Sequence, residues 1–224
     1  MKFEIHRYGT VDSTMLAAAG LPVGHVVAAE EQTAGQGRHG HSWHSAKGAG
    51  LYCSIVLEPA PLLTLALGLA AAEAIAEAAG VACDLRWPND LMLGEKKLGG
   101  ILVQLSEGKA VAGIGINLNQ VSFPPEIEAT SLKIHTGREV SADALLDALL
   151  AAVAAHIGLP SEDILRLFTR ASSYAAGRRV VVNQPGGMVE GTTAGLDANG
   201  FLIVRKDDGT NTLIVAGGVR AAGS

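Results

Sequence analysis

Basic charge is in short supply in this chain: 17 lysines and arginines stand against 22 acidic residues, charged residues make up only 17% of the 224, and the formal net charge is −5. Duplex binding rests mostly on lysine and arginine neutralising phosphates, so no nucleic-acid partner is expected, and no block of like charge forms a tail. Cysteine is nearly absent too. The two present, Cys53 and Cys83, lie in apolar, strand-like stretches without the close spacing of a metal or redox pair, and read as buried thiols in a reducing compartment. The apolar stretch from Pro59 to Ala72 is too short to span a bilayer and runs straight into Glu73 and Glu77, so it reads as a core helix and no membrane association is expected. Met1 to Arg7 lacks the charged-then-apolar layout of a secretory signal, with Glu4 where an apolar core belongs, and cytoplasmic residence is the expectation. What the chain does have is apolar bulk. Hydrophobic residues make up 48%, which suits one good-sized folded domain with a small appendage.

Phe3 to Tyr8 and His25 to Ala29 read as strands around a short helix from Ser13 to about Gly20, and Leu51 to Leu57 reads as a buried strand. Pro61 and Gly80 sit where those residues favour the opening and closing of a helix. Asp84 to Trp87, Leu98 to Leu105 and Val111 to Leu118 are further strands, the last broken by Gly113 and Gly115, and glycine inside a strand marks close approach of a ligand or another backbone. Ser141 caps an amphipathic helix reaching about Gly158, and a shorter helix spans about Ser161 to Tyr174. Beyond Gly177 the texture changes to short strands, Arg178 to Asn183, Met188 to Leu196, Gly200 to Lys206 and Thr210 to Val215. They are separated by the turn signals Pro185-Gly186-Gly187, Asn199-Gly200 and Asp208-Gly209, the mark of a small SH3-like barrel after a boundary near Ala176.

Chemistry concentrates in a few segments. Gln32 to Trp43 interleaves Gly35, Gly37 and Gly40 with Arg38, His39, His41 and Trp43. Glycines free backbone N–H groups to face an anion, arginine offers a fork of donors to phosphate or carboxylate, and the indole offers a face to a planar ring. The segment reads as an anion-binding flap, with a solvated surface loop as the alternative. Arg86-Trp87-Pro88-Asn89-Asp90 ends a strand in a sharp turn, and Lys97 precedes Gly99-Gly100 at the start of an apolar strand. Taken singly, Asn89-Asp90 is also compatible with a plain turn and Lys97 with a solvated hairpin residue.

Together these segments resemble the biotin protein ligases. The resemblance rests on Ser13-Thr14-Met15, Gly35-Gln36-Gly37-Arg38-His39-Gly40-His41 before Trp43, Arg86-Trp87-Pro88-Asn89-Asp90, Lys97-Leu98-Gly99-Gly100-Ile101-Leu102 and Gly113-Ile114-Gly115-Ile116-Asn117, five motifs in family order. It implies an α/β (α+β) catalytic domain over residues 1–176, a mixed β-sheet with helices packed on it as in class II synthetases, and a C-terminal SH3-like β-barrel over 177–224. It also implies a stand-alone form, because only twelve residues precede Ser13, too few for the DNA-binding domain that some relatives carry. The activity implied is a two-step ligation, in which biotin and MgATP give biotinyl-5′-AMP and pyrophosphate and the biotinyl group then passes to one lysine of a biotin carboxyl carrier protein. The enzyme would be a monomer or a homodimer.

By the same resemblance Arg38, Lys97 and Asp90 are the catalytic candidates, the two cations meeting charge that builds on oxygens as a carboxylate attacks an α-phosphate. Ser13, Thr14, Gln32, Gly35, Gln36, Gly37, Arg38, Lys97, Gly100 and Gly115 would form the biotin pocket, with Ser13, Thr14 and Gln32 at the ureido end and the two strand glycines leaving space. Arg38, His39, His41, Trp43, Asn89 and Asn117 would hold ATP or the adenylate, Trp43 stacking near adenine. Asn89 and Asp90 would lie near the phosphates and magnesium, and Asp90 is a candidate to orient or deprotonate the acceptor lysine.

The chain departs from the family pattern at Met15, which replaces an asparagine, and at Gln36, His39 and His41, which replace loop arginines. A metal reading of His39, His41 and His44 finds no cysteine or carboxylate beside them to complete a site. His6, His25, His135 and His156 have no motif around them and read as ordinary surface or core residues. A lipoate or octanoate ligase of the related fold and a non-catalytic binding regulator are the alternatives in function.

Overall fold

The computed structural model describes residues 1–184 and 186–223; Pro185 of the expected Pro-Gly-Gly turn, Ser224 and the side chain of His39 lie outside the described residues. Strand β1 (Glu4–Val11) runs parallel to β2 (His25–Gln32), with α1 (Thr14–Ala18) between them in the chain. Strand β3 (Gly50–Leu57) is buried along its whole length. It pairs antiparallel with β2 and with β7 (Lys109–Asn117), which in turn pairs with β6 (Lys96–Ser106). Strands β5 (Asp90–Leu93) and β4 (Asp84–Arg86) complete a mixed sheet in the order β1-β2-β3-β7-β6-β5-β4.

Alternation along the strands sends two different sets of side chains to the two faces. Leu51, Cys53, Ile55 and Leu57 of β3, with Val26, Ala28, Ala112, Ile114 and Ile116, face the helices and belong to the main core. That layer is α2 (Leu63–Ala79), α4 (Ala142–His156) and α5 (Ser161–Ala171), which contribute Leu67, Ile75, Leu145, Leu149, Ile164 and Phe168. The other face carries a small apolar cluster, Val27, Val56 and Val111 under Met15 and Ala18 of α1. Most of that second face is therefore left for polar groups and glycines.

Helix α2 starts at Leu63, later than Pro61 implies, because Leu62 adopts a left-handed φ of 58° that interrupts the helical path. Gly80, at φ 68°, ends it in the expected left-handed cap. Ser141 Oγ accepts from the Ala144 N–H, as its N-cap role predicts. Ser131 does the same for Ile134 at 3.0 Å, opening a short α3 (Leu132–Thr136) that the sequence reading lacks.

The C-terminal segment is an antiparallel sheet of β8 (Ala176–Gln184), β9 (Gly187–Leu196), β10 (Leu202–Arg205), β11 (Asn211–Ile214) and β12 (Gly218–Ala221), ordered β11-β10-β9-β8-β12. Strand β12 is an addition to the four expected there. Val180, Val182, Leu202, Val204, Ile214 and Val219 join the same continuous core as the helices. The Trp87 indole N–H donates to the Gly200 carbonyl at 2.8 Å across this junction. A β-carbon on Gly200, whose φ is +78°, would sit 2.5 Å from Leu62 Cδ2, so the close approach requires glycine. Among the described residues no helix is long and apolar enough to cross a membrane.

Candidate active site

The glycines of β6 and β7 form a floor on the open sheet face. Gly100 pairs with Gly115 and Leu102 with Gly113, so the three glycines stand in adjacent rows. Two side chains lie on them. A β-carbon on Gly113 would come within 2.8 Å of Met15 Sδ, and one on Gly115 within 2.6 Å of the Trp43 ring. The space expected for biotin over Gly115 is thus covered by the indole of the flap, and Trp43 rests on the sheet in this conformation. Met15 points into the small apolar cluster.

At one end of the floor is a buried polar chain. Ser54 Oγ donates to Thr14 Oγ1 at 2.8 Å, Thr14 donates through its N–H and its hydroxyl to Gln32 Oε1 at 2.8 and 3.0 Å, and Gln32 Nε2 donates to Ser45 Oγ at 2.7 Å. Ser13 Oγ is buried beside this chain without a hydrogen-bond partner, as is Trp43 Nε1. A buried polar group left unpaired costs about 1–3 kcal/mol, so both atoms are spare capacity for a polar ligand. Ser45 and Ser54 were missed from sequence; Ser54 had a signal, a hydroxyl in an otherwise apolar, fully buried strand.

At the other end two consecutive residues hold three cations. Asn89 Oδ1 accepts from Arg38 Nη1 at 2.8 Å, and Asp90 Oδ1 lies 2.5 Å from Lys97 Nζ. Asn89 itself is fixed to β6, its Nδ2 donating to the Ile101 carbonyl at 2.8 Å and its own carbonyl accepting from the Ile101 N–H. The second Asp90 oxygen accepts from Arg86 Nε and Nη2 at 3.1 and 2.8 Å. Strand β5 makes this possible: its register sets Asp90 opposite Arg86 on one side and Gly100 on the other. Arg38 also donates to the Gly217 carbonyl at 3.4 Å, so the C-terminal sheet reaches the site. Burial holds the Arg38 guanidinium below the usual arginine range, with Asp90 working in the opposite direction. Three cations face one carboxylate, an arrangement whose net charge suits a polyanionic ligand.

The flap closes on itself. Trp43 N–H donates to the Gly35 carbonyl at 2.8 Å and Gly37 N–H to the His41 carbonyl at 2.7 Å, so these N–H groups are paired within the flap rather than turned toward an anion. Gly35 is tightly enclosed, a β-carbon there meeting the Trp43 carbonyl at 2.5 Å. Arg38 stands in a 3-10 turn spanning Arg38–Gly40, while Gln36, His41 and His44 are exposed. The side chain of His39 lies outside the described residues. Asn117, expected near ATP, is buried and braces the following loop, donating to the Thr130 carbonyl at 3.0 Å and accepting from Gln120. Lys97 Nζ lies 5.6 Å from the Trp43 ring, which ties the flap to the cationic end.

The chain is similar to known proteins. Residues 8–120 match the Biotin/lipoate A/B protein ligase family and residues 176–219 match the Biotin protein ligase C terminal domain. The Bifunctional ligase/repressor BirA of Bacillus subtilis is 30% identical over 223 residues, covering 90% of this chain and 67% of the relative. The Biotin--[acetyl-CoA-carboxylase] ligase of Mycobacterium tuberculosis is 32% identical, covering 94% of this chain and 84% of the relative. The biotin protein ligase from Aquifex aeolicus in complex with biotin and ATP aligns with a TM-score of 0.89 at 30% identity, over 97% of this chain and 99% of that one. With five motifs brought to one sheet face, and with both family models matched in order, the chain belongs to the biotin protein ligase family.

Proposed function

We propose that this site activates biotin with MgATP and passes the biotinyl group to a lysine of a biotin carboxyl carrier protein. The observation that carries the reading is the pairing of Arg38 and Lys97, one from the flap and one from the sheet, with the consecutive residues Asn89 and Asp90 at the edge of the glycine floor. In the first step a biotin carboxylate oxygen attacks the α-phosphorus and the bond to pyrophosphate breaks. Arg38 and Lys97 meet the charge that grows on the phosphate oxygens, already fixed in place and half-buried, so little reorganisation is required. In the second step the acceptor amine attacks the acyl carbon, AMP leaves, and the amine loses a proton.

Ser13, Thr14 and Gln32 take the ureido end of biotin, supported by the spare Ser13 hydroxyl. Entry of biotin requires Trp43 to leave Gly115, after which the indole is free to cover the adenylate with the rest of the flap. Gly35, Gln36 and Gly37 give that flap its path, and Asn117, His39 and His41 are assigned to the nucleotide side on family grounds. One Asp90 oxygen is engaged by Arg86 and the other by Lys97, so Asp90 is assigned to positioning Lys97. Magnesium then enters with ATP, carried by its phosphates. The division at residue 176 and cytoplasmic residence belong to the same proposal, the latter supported by two free cysteines.

The test is transfer itself: the chain, biotin, MgATP and a carrier domain, with the carrier lysine assayed by mass spectrometry. A biotinyl mass on that lysine is expected; an unmodified carrier, or modification with lipoate but not biotin, would refute the proposal.

A further inference from the structure

Away from the active site, the register of the parallel pair β1 and β2 brings together three donors that are scattered in sequence. Glu4 of β1 pairs with His25 of β2, and His6 follows Glu4 on the same face of β1 by strand alternation. His6 Nε2 and His25 Nδ1 stand 2.8 Å apart, with ring planes within 12° of each other. The Glu4 carboxylate closes the group, 3.7 Å from His6 Nε2 and 3.8 Å from His25 Nε2. One ligand atom from each residue lies within 4.8 Å of the other two. The two imidazoles are largely covered, at 29% and 20% exposed, while Glu4 is open to solvent at 67%.

We infer that Glu4, His6 and His25 form a binding site for a zinc-class divalent transition-metal ion. Ligands about 2.0–2.2 Å from a tetrahedral zinc are separated from one another by about 3.3–3.6 Å. The 3.7 Å contact of His6 Nε2 to Glu4 is already close to that spacing; His25 binds through one nitrogen only, Nδ1 on the His6 side or Nε2 on the Glu4 side, and with the three ligand atoms within 4.8 Å of one another a movement on the order of an ångström brings them to it. Two imidazoles and one carboxylate are a donor set for zinc or a neighbouring transition ion and not for magnesium or calcium, which take oxygen ligands. Three protein ligands leave the fourth position to water. The ion would tie the edge strand β1 to β2, one strand pair that flanks α1 and the Ser13-Thr14 end of the active site. The site is independent of the catalytic groups, none of which it shares.

The experiment titrates the untagged, EDTA-stripped chain with zinc chloride against a chromogenic zinc chelator. It compares the parent with His6→Gln, with His25→Gln, and with a flap control carrying His41→Gln and His44→Gln, and repeats the parent in excess magnesium chloride. One zinc per chain is expected in the parent and in the flap control, at least tenfold weaker in each site variant, and unaffected by magnesium. Circular dichroism of the two site variants should match the parent, because both side chains are partly exposed and lie outside the apolar core. Zinc uptake that survives both site substitutions, that disappears instead in the flap control, or that never occurs in the parent overturns the assignment.

Discussion

Arg38 and Asn89 are 51 positions apart in the chain and joined by a 2.8 Å hydrogen bond, which makes the Trp-Pro-Asn-Asp turn the anchor of the flap. The acceptor is a neutral amide, so Arg38 keeps its charge available for a ligand while its position is fixed. Asn89→Ala should leave the charge in place and free the side chain. A hydrogen bond to a charged group is worth about 1.5–3 kcal/mol, so biotinyl-adenylate should dissociate roughly tenfold faster or more. Stopped-flow dissociation rates check this, and unchanged rates would show that the flap is held without Asn89.

Lys97→Ala removes a cation assigned to the reacting phosphate and carboxylate oxygens. Losing a contact of that kind typically costs about 3–4 kcal/mol of barrier, so adenylate formation should fall by roughly two to three orders of magnitude with the fold intact. Pyrophosphate release under single-turnover conditions is the measurement; a rate equal to the parent's would remove Lys97 from the chemistry.

Gly115→Ala places a β-carbon 2.6 Å from the Trp43 ring, a distance that real contacts do not tolerate. The indole should be pushed off the sheet and its emission should move to longer wavelength. Trp43→Phe, which leaves the buried Trp87 as the sole tryptophan, separates the two contributions. Emission spectra of Gly115→Ala that match the parent would mean that Trp43 does not rest on this glycine in solution.

Burial pushes the Cys53 and Cys83 thiols from 9.0 up to about 12, and that of Tyr52 from 10.0 up to about 12. A group whose folded pKa is raised stabilises the fold fully while both states are protonated, and that stability drains away as pH climbs from the unfolded value toward the folded one. Urea midpoints should therefore fall as pH rises from about 9 toward 12, less steeply in a Cys53→Ala, Cys83→Ala double variant than in the parent. Parallel slopes would show that the thiols are not held protonated. Cys53 is buried as expected, whereas Cys83, next to Asp84 of β4, is only half-buried, so Cys53 should not react with a water-soluble disulfide reagent at neutral pH.

Much of the architecture was legible because apolar periodicity and punctuation agreed: β3, the Gly80 end of α2, and α4 with its Ser141 cap stand where the pattern put them. Strand β5 was not, because Leu91-Met92-Leu93 is too short for a period and Asn89-Asp90 signals a turn. Yet its register is what brings Asp90 between Arg86 and Lys97. The polar chain was half legible: Thr14 and Gln32 came from motifs, whereas Ser45 and Ser54 join them only through sheet and flap geometry. Trp43 was legible as part of the glycine-rich loop, but its resting place on Gly115 depends on how that loop folds, which no local pattern encodes. His6 and His25 looked unrelated for the same reason, since only the parallel register of β1 and β2 makes them neighbours.

Biotin-dependent pyrophosphate release is the most direct test of the central claim. The chain is incubated with MgATP alone, with MgATP and biotin, and with MgATP and lipoate, and the product of each reaction is identified by mass spectrometry. Release that requires biotin, matched one to one by biotinyl-5′-AMP and absent with lipoate, is the result predicted. Pyrophosphate release indifferent to biotin, or none from a chain that binds biotin and ATP, would contradict the assignment of this site as an adenylating centre.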